Sequence, residues 1–213
     1  MLLVALALSY PVAAEGPALT LHAHAAGAID VPLTIELFRW STDAERAPLL
    51  TALGPQAAPA ASAPAGGEAA GRGGGRAGRA GRGGRGAASG AAPPNPLARL
   101  STAIKAAPTL GYIWGEGVTG YSIKYAWHAP GDGGHERIVL VTERRLGEHV
   151  PDWTPAPIVT PDAEFTLVEM RVDAKGMGEG KASLTTTIAL DAKAQTLALD
   201  GYEAAPMLLR VTR

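Results

Sequence analysis

LGYIWGEGVTGYSIKYAWHAPGDGGHERIVLVTERRLG, Leu110 to Gly147, contains three strand-like runs: Leu110 to Glu116, Thr119 to Ala129 and Arg137 to Glu143. The glycine-bearing turns between them are short enough to force neighbouring strands antiparallel, so the stretch predicts a three-stranded meander. It carries Tyr112, Trp114, Tyr121, Tyr125 and Trp127, five of the eleven aromatic residues of the chain. Aromatic side chains contribute the largest buried areas in a core, which makes this meander the expected centre of the fold. In its second strand the period of two puts Tyr121, Ile123, Tyr125 and Trp127 on one face and Ser122, Lys124, Ala126 and His128 on the other.

Working outward from the meander, Pro17 to His24 and Ile29 to Trp40 alternate apolar and polar residues and predict two more strands. STDAER follows, in which Thr42 and Glu45 have the spacing of a reciprocal capping box and start a helix that Gly54 ends. Asn95-Pro96 caps a second helix, with Leu97, Leu100, Ala103, Ile104 and Ala107 at helical spacing and Pro108 beyond its end. Between the helices, 55–94 is almost all Ala, Gly, Pro and Arg, without an aromatic or β-branched residue. Such a composition buries too little apolar area to offset the entropy of ordering its backbone, and it predicts a disordered insert in a helix-helix connection. Its run GRGGGRAGRAGRGGRG resembles arginine-glycine segments of RNA-binding proteins, but it lacks the stacking aromatics those segments work beside. A solvated linker is the preferred reading.

Beyond the meander, Pro151, Pro155, Pro157 and Pro161 predict an extended crossover. Phe165 to Asp173 and Lys181 to Asp191 predict a hairpin whose turn is supplied by the glycines of AKGMGEGK, and short strands at Thr196 to Asp200 and Met207 to Thr212 complete the count. The expected fold is mainly β with an α+β character: an antiparallel sandwich or partly closed barrel of about nine strands, with two short helices joined by the disordered insert.

Length and charge agree with one domain. The 213 residues carry a formal net charge of -1, with 18% charged and 46% hydrophobic residues, which offers no electrostatic argument for nucleic acid or for a membrane surface. Five arginines against Glu68 give the insert +4, leaving -5 on the rest. With no cysteine, disulfides, thiolate metal sites and a thiol nucleophile are excluded. MLLVALALSYPVAA, residues 1–14, ends in the small residues read by signal peptidase and is too short to span a bilayer. It predicts a signal peptide, an exported (periplasmic or secreted) protein and a single β-rich domain over 15–213.

The combination of RWSTDAER, LGYIWGEGVTGYSIKYAW, ERIVLVTERRLG and GMGEGKASL resembles a group of uncharacterised bacterial proteins that carry export signals. The resemblance implies secretion and a shared β-rich fold, and it brings no activity, cofactor or site residue with it. The long insert departs from that pattern, in which a shorter helix-helix connection is expected.

Several residue patterns bear on chemistry. His22 and His24 stand two apart on a strand and point to one side, as two imidazole metal ligands do, and His128 and His135 are the available third ligands. Exposed strand histidines are the preferred reading. Gly120-Tyr121-Ser122-Ile123-Lys124 lacks the last glycine of a nucleophile elbow and lies within a strand. GMGEGKAS lacks the helix that a phosphate-binding loop requires. Asp173, Glu179 and Asp191 lack the oxygen spacing of a calcium loop. Arg39, Asp43, Glu45 and Arg46 around Trp40 read as a clasp between strand and helix, and Arg144-Arg145 as solvated charge or an anion contact. No cofactor is expected. The function expected is therefore non-enzymatic binding of a partner protein, envelope component or small ligand, with Tyr112, Trp114, Tyr121, Tyr125 and Trp127 as binding residues. The alternative is a metal-assisted hydrolase using His22, His24, His128 and His135.

Overall fold

A computed structural model describes residues 16–25, 31–54, 95–115, 120–147 and 163–213. The leader, the insert, the first meander turn and the proline-rich crossover lie outside the described residues.

The strands are β1 (Leu19–Ala25), β2 (Val31–Leu37), β3 (Gly111–Trp114), β4 (Tyr121–Pro130), β5 (Glu136–Thr142), β6 (Thr166–Val172), β7 (Met177–Ala182), β8 (Ile188–Asp191), β9 (Thr196–Leu199) and β10 (Leu209–Thr212). Eight of them form a closed antiparallel barrel in the order β1-β10-β7-β6-β5-β4-β3-β2, and β8 and β9 form a separate two-stranded sheet. The helices, α1 (Asp43–Leu53) and α2 (Pro96–Ala106), are inserted between β2 and β3. The β-rich fold with two short helices is thus as expected, and of the two expected architectures the barrel is found, fully closed. Closure comes from β10 pairing with β1, Val211 opposite Ala23, which removes the exposed edges a sandwich would leave.

Alternating residues fill the barrel interior: Leu21, Ile35, Ile113, Ile123, Ile138, Leu140, Met170 and Val211 are all fully buried. A second core lies outside the wall. There Tyr125, Val139, Val141 and Leu167 are covered by Leu49 of α1, Leu100 and Ile104 of α2, and Leu197 and Leu199 of β9. This double burial accounts for the unbroken apolar run IVLV in β5.

Two local expectations are corrected. The register of β4 against β5 shifts between Ile123 and Tyr125, so Lys124 is an extra residue in β4. Such a bulge reverses the alternation beyond it. Tyr121 and Ile123 face the interior, whereas Tyr125 and Trp127 face the outer core and Ala126 turns inward. The Lys124 ammonium donates to the Ala107 carbonyl at 3.3 Å and to Thr109 Oγ1 at 3.1 Å, placing a cation where α2 ends.

Of the three glycines after Asp173, only Gly176 forms the turn. Asp173 Oδ1 accepts from the backbone N–H groups of Lys175 and Met177 at 2.8 and 2.9 Å, closing a tight turn with Gly176 at φ 81°. Gly178 and Gly180 therefore fall within β7, opposite Val172 and Met170, and β8 belongs to the separate sheet. A Cβ on Gly178 would stand 2.2 Å from the Arg171 carbonyl oxygen, so the wall approaches here as only glycine permits.

Both helix starts match their sequence signals. Thr42 Oγ1 accepts from the Glu45 N–H at 3.3 Å while Glu45 Oε2 accepts from the Thr42 N–H at 2.9 Å, and Asn95 Oδ1 accepts from the Leu97 N–H at 3.0 Å. The Arg99 guanidinium donates to the Ala52 and Gly54 carbonyls at 3.1 and 3.3 Å, clasping the end of α1 to the start of α2.

Candidate functional site

The β8-β9 hairpin lies over the outer face of the barrel wall, and its apolar side is held by the outer core. Beside that contact remains an open cleft of roughly 1110 Å³, bounded by β5 to β7, the β4-β5 turn and the hairpin. Register explains its wall. Arg137 on β5 stands opposite Arg171 on β6, which stands opposite Glu179 on β7. One outward position along, Val139, Glu169 and Lys181 make the adjacent row. Charged side chains are thereby brought onto one patch of the wall by strands far apart in sequence.

Glu169 is 2% exposed, and an unpaired carboxylate so deep in the protein would cost several kcal/mol. Both of its oxygens are used. Oε1 accepts from Arg137 Nε at 2.8 Å and Oε2 from the Leu199 N–H at 3.0 Å, while Arg137 also donates to Asp191 Oδ2 at 2.7 Å. This three-residue clasp ties barrel to hairpin, with the guanidinium 5.6 Å from the Trp127 ring centre. Burial pulls the Arg137 pKa down, but its bonds to Glu169 and Asp191 outweigh that and hold it above the usual guanidinium value. The Ala194 N–H, and after it Arg137, hold Asp191 below the usual carboxylate range.

At the other end of the wall two cations lie over the Tyr202 ring, Arg171 at 3.9 Å and Lys181 at 4.5 Å from its centre. Lys181, 6% exposed, donates to the Tyr202 and Glu203 carbonyls at 2.9 and 3.3 Å, and Arg171 is paired with Glu203. Burial, and then the Glu179 charge, push the Tyr202 phenol upward, so it stays a neutral donor. The wall is a hydrogen-bonded surface on which Arg137, Arg171 and Lys181 are already engaged.

The five meander aromatics are dispersed. Tyr121 is in the barrel interior and accepts from the Gly147 N–H at 3.1 Å. Tyr125 is under the outer layer, its hydroxyl 2.6 Å from Thr196 Oγ1. Trp127 is half-buried and lines the cleft. Tyr112 is 38% exposed on β3, edge-on to Phe38 with ring centres 5.9 Å apart, and Trp114 is half-buried at the end of the same strand. They form no common face, because the bulge at Lys124 sends the β4 rings to opposite sides of the wall.

The histidines are also apart. His22 and His24 are exposed on the outer side of β1, alternating with buried Leu21 and Ala23. His128 is opposite inward-facing Ile138, stacked on Trp40 at 3.9 Å and 2.7 Å from Glu136. Its strand lies three positions from β1 around the wall, about 14 Å at ordinary strand spacing. His135 is exposed in the β4-β5 turn. Among the described residues no group of three or more His, Cys, Asp or Glu is placed to hold a metal ion.

The remaining patterns are structural. Arg39 pairs with both Glu45 oxygens at 2.8 and 2.7 Å and pins β2 to α1. Arg144 donates to the Gly120 carbonyl at 2.9 Å and Arg145 to that of Ala163 at 3.2 and 2.6 Å. Arg137, Glu169, Arg171, Asp191 and Tyr202 were not expected as a group. Their one signal in the sequence is the pair of charges interrupting the apolar run TLVEMRV of β6. Among the described residues no helix is long and apolar enough to cross a membrane. No protein-family model, curated protein or solved structure matches the chain.

Proposed function

We propose that the chain is an exported, non-enzymatic binding domain that holds its ligand or partner in the cleft between the barrel wall and the β8-β9 hairpin. Export rests on the apolar leader and its small-residue end at Ala13 and Ala14. The cleft carries the rest of the reading. Its volume lies just above the usual range of ligand sites, about 300 to 1,000 Å³, and its wall is preorganised, since Glu169, Arg137 and Asp191 are fixed by bonds within the protein. A wall fixed in advance spares a ligand the cost of ordering it. The five meander aromatics enter this reading unequally: Trp127 is part of the cleft, while Tyr112 and Trp114 belong to a separate outer face.

A fragment library screened by amide-shift NMR on the full chain tests this. Bound fragments should shift the amides of Gly178, Ala189 and Ala198, and Ala189→Trp, which fills the cleft from the hairpin side, should abolish those shifts without changing the thermal midpoint. Fragments that instead gather on β2 and β3, or that bind Ala189→Trp equally well, would move the site elsewhere.

A further inference from the structure

We infer that the cleft takes a small organic cation bearing an apolar tail, an inference that rests on the cleft being the binding site. Its lining has five carboxylates, Asp132, Glu169, Glu179, Asp191 and Asp200, against three cations, Arg137, Arg171 and Lys193. The two guanidiniums are already engaged, Arg137 by Glu169 and Asp191, and Arg171 by Glu203. An anionic ligand at Arg137 would have to displace Glu169 or Asp191, and a displaced Glu169 would be left buried and unpaired; Lys193 remains for an anion, outnumbered by the acids of the lining.

The acids are not equally engaged. Glu179 has Lys181 and the Tyr202 hydroxyl, both at 3.5 Å, Asp200 accepts from the Thr187 hydroxyl at 3.3 Å, and Asp132 has no ion pair among the described residues. These groups offer charge to an incoming ammonium. Alongside them the rim exposes apolar surface: Met177 is 56% exposed and Leu190 37%, and both line the cleft. A thioether and an isobutyl group beside loosely held carboxylates suit a ligand with a charged head and an aliphatic body, the tail adding affinity by covering surface now in water.

Hexylammonium, hexanol and hexanoate share a tail and differ in head charge, which makes them suitable probes of the full chain by amide-shift NMR. Hexylammonium is expected to bind most tightly at Gly178, Ala189 and Ala198, hexanol more weakly and hexanoate least, with the preference for the cation fading at high salt. Asp132→Asn and Asp200→Asn should each weaken hexylammonium about two- to fivefold, the ratio for an exposed ion pair, and leave hexanol unchanged. Hexanol or hexanoate binding at these amides as tightly as hexylammonium would overturn the cationic preference and leave the cleft as the site. Binding of none of the three probes at these amides would overturn both.

Discussion

Glu45 is the residue on which most of one junction depends. It closes the capping box with Thr42 and grips Arg39 with both oxygens, so one carboxylate starts α1 and fixes its angle to β2. The Arg39 bonds, and then the Thr42 backbone N–H, lower its pKa from 4.5 to about 2. A pKa lowered on folding stabilises the protein above the unfolded value, and that contribution is lost as pH falls through the folded one. Glu45→Gln should therefore cost about 1 kcal/mol at pH 7, the upper end for an exposed ion pair, since glutamine keeps the capping-box acceptor but loses the charge that Arg39 grips. The gap between variant and parent should close as pH falls from about 4.5 to about 2, which urea denaturation across that window measures. A gap that persists unchanged at pH 2 would mean that the charge is not what Arg39 and Thr42 hold. This junction was legible in the sequence because STDAER is local: every partner lies within six residues of the next. The cleft wall was not. Glu169 meets Arg137 and Leu199, 32 and 30 residues away, and only the register of three strands brings them together.

At the scale of elements, the same division holds. Helices were found where Thr42 and Asn95-Pro96 placed them, because caps and first-turn prolines act over a few residues. Strands were found as periods of two until an irregularity intervened. Lys124 leaves no mark in the sequence as a bulge, yet it turns Tyr125 and Trp127 outward. The glycines of GMGEGK suggested a turn because glycine permits turns, but only Gly176 makes one, while Gly178 and Gly180 serve close packing within the wall. The helix pair also bears on residues 55–94. Arg99 ties α2 to the end of α1 independently of the chain between them. Replacing 55–94 by a short Gly-Ser loop should then shift the thermal midpoint by only about 3 °C, since a doubling of loop length costs roughly 0.6 kcal/mol. Trypsin should cut the parent chain first at Arg72 to Arg85 and leave two fragments that stay associated through the barrel. A midpoint lowered by tens of degrees, or arginines resistant to trypsin, would show that the segment is packed against the rest of the chain.

For the whole molecule, closure separates two environments that the sequence presents as one apolar inventory. The interior is filled with side chains, while the outer face of β4 to β6 is roofed by the helices and the β8-β9 hairpin. Pairing of β1 with β10 was unreadable because it joins the two ends of the described chain and depends on strand tilt and stagger summed around the wall. The hairpin was equally hidden, since its strands read as continuations of the main sheet. This roofing underlies our proposal that the protein binds at the unroofed part of the outer wall beside the hairpin. Photocrosslinking in cells tests this, with benzoylphenylalanine incorporated at Met177, an exposed residue on the cleft rim, and, separately, at Tyr112, in the full chain including residues 1–14. A discrete adduct is expected from position 177 and none from position 112. An adduct from Tyr112 alone would place binding on the exposed face of β3 and contradict the claim.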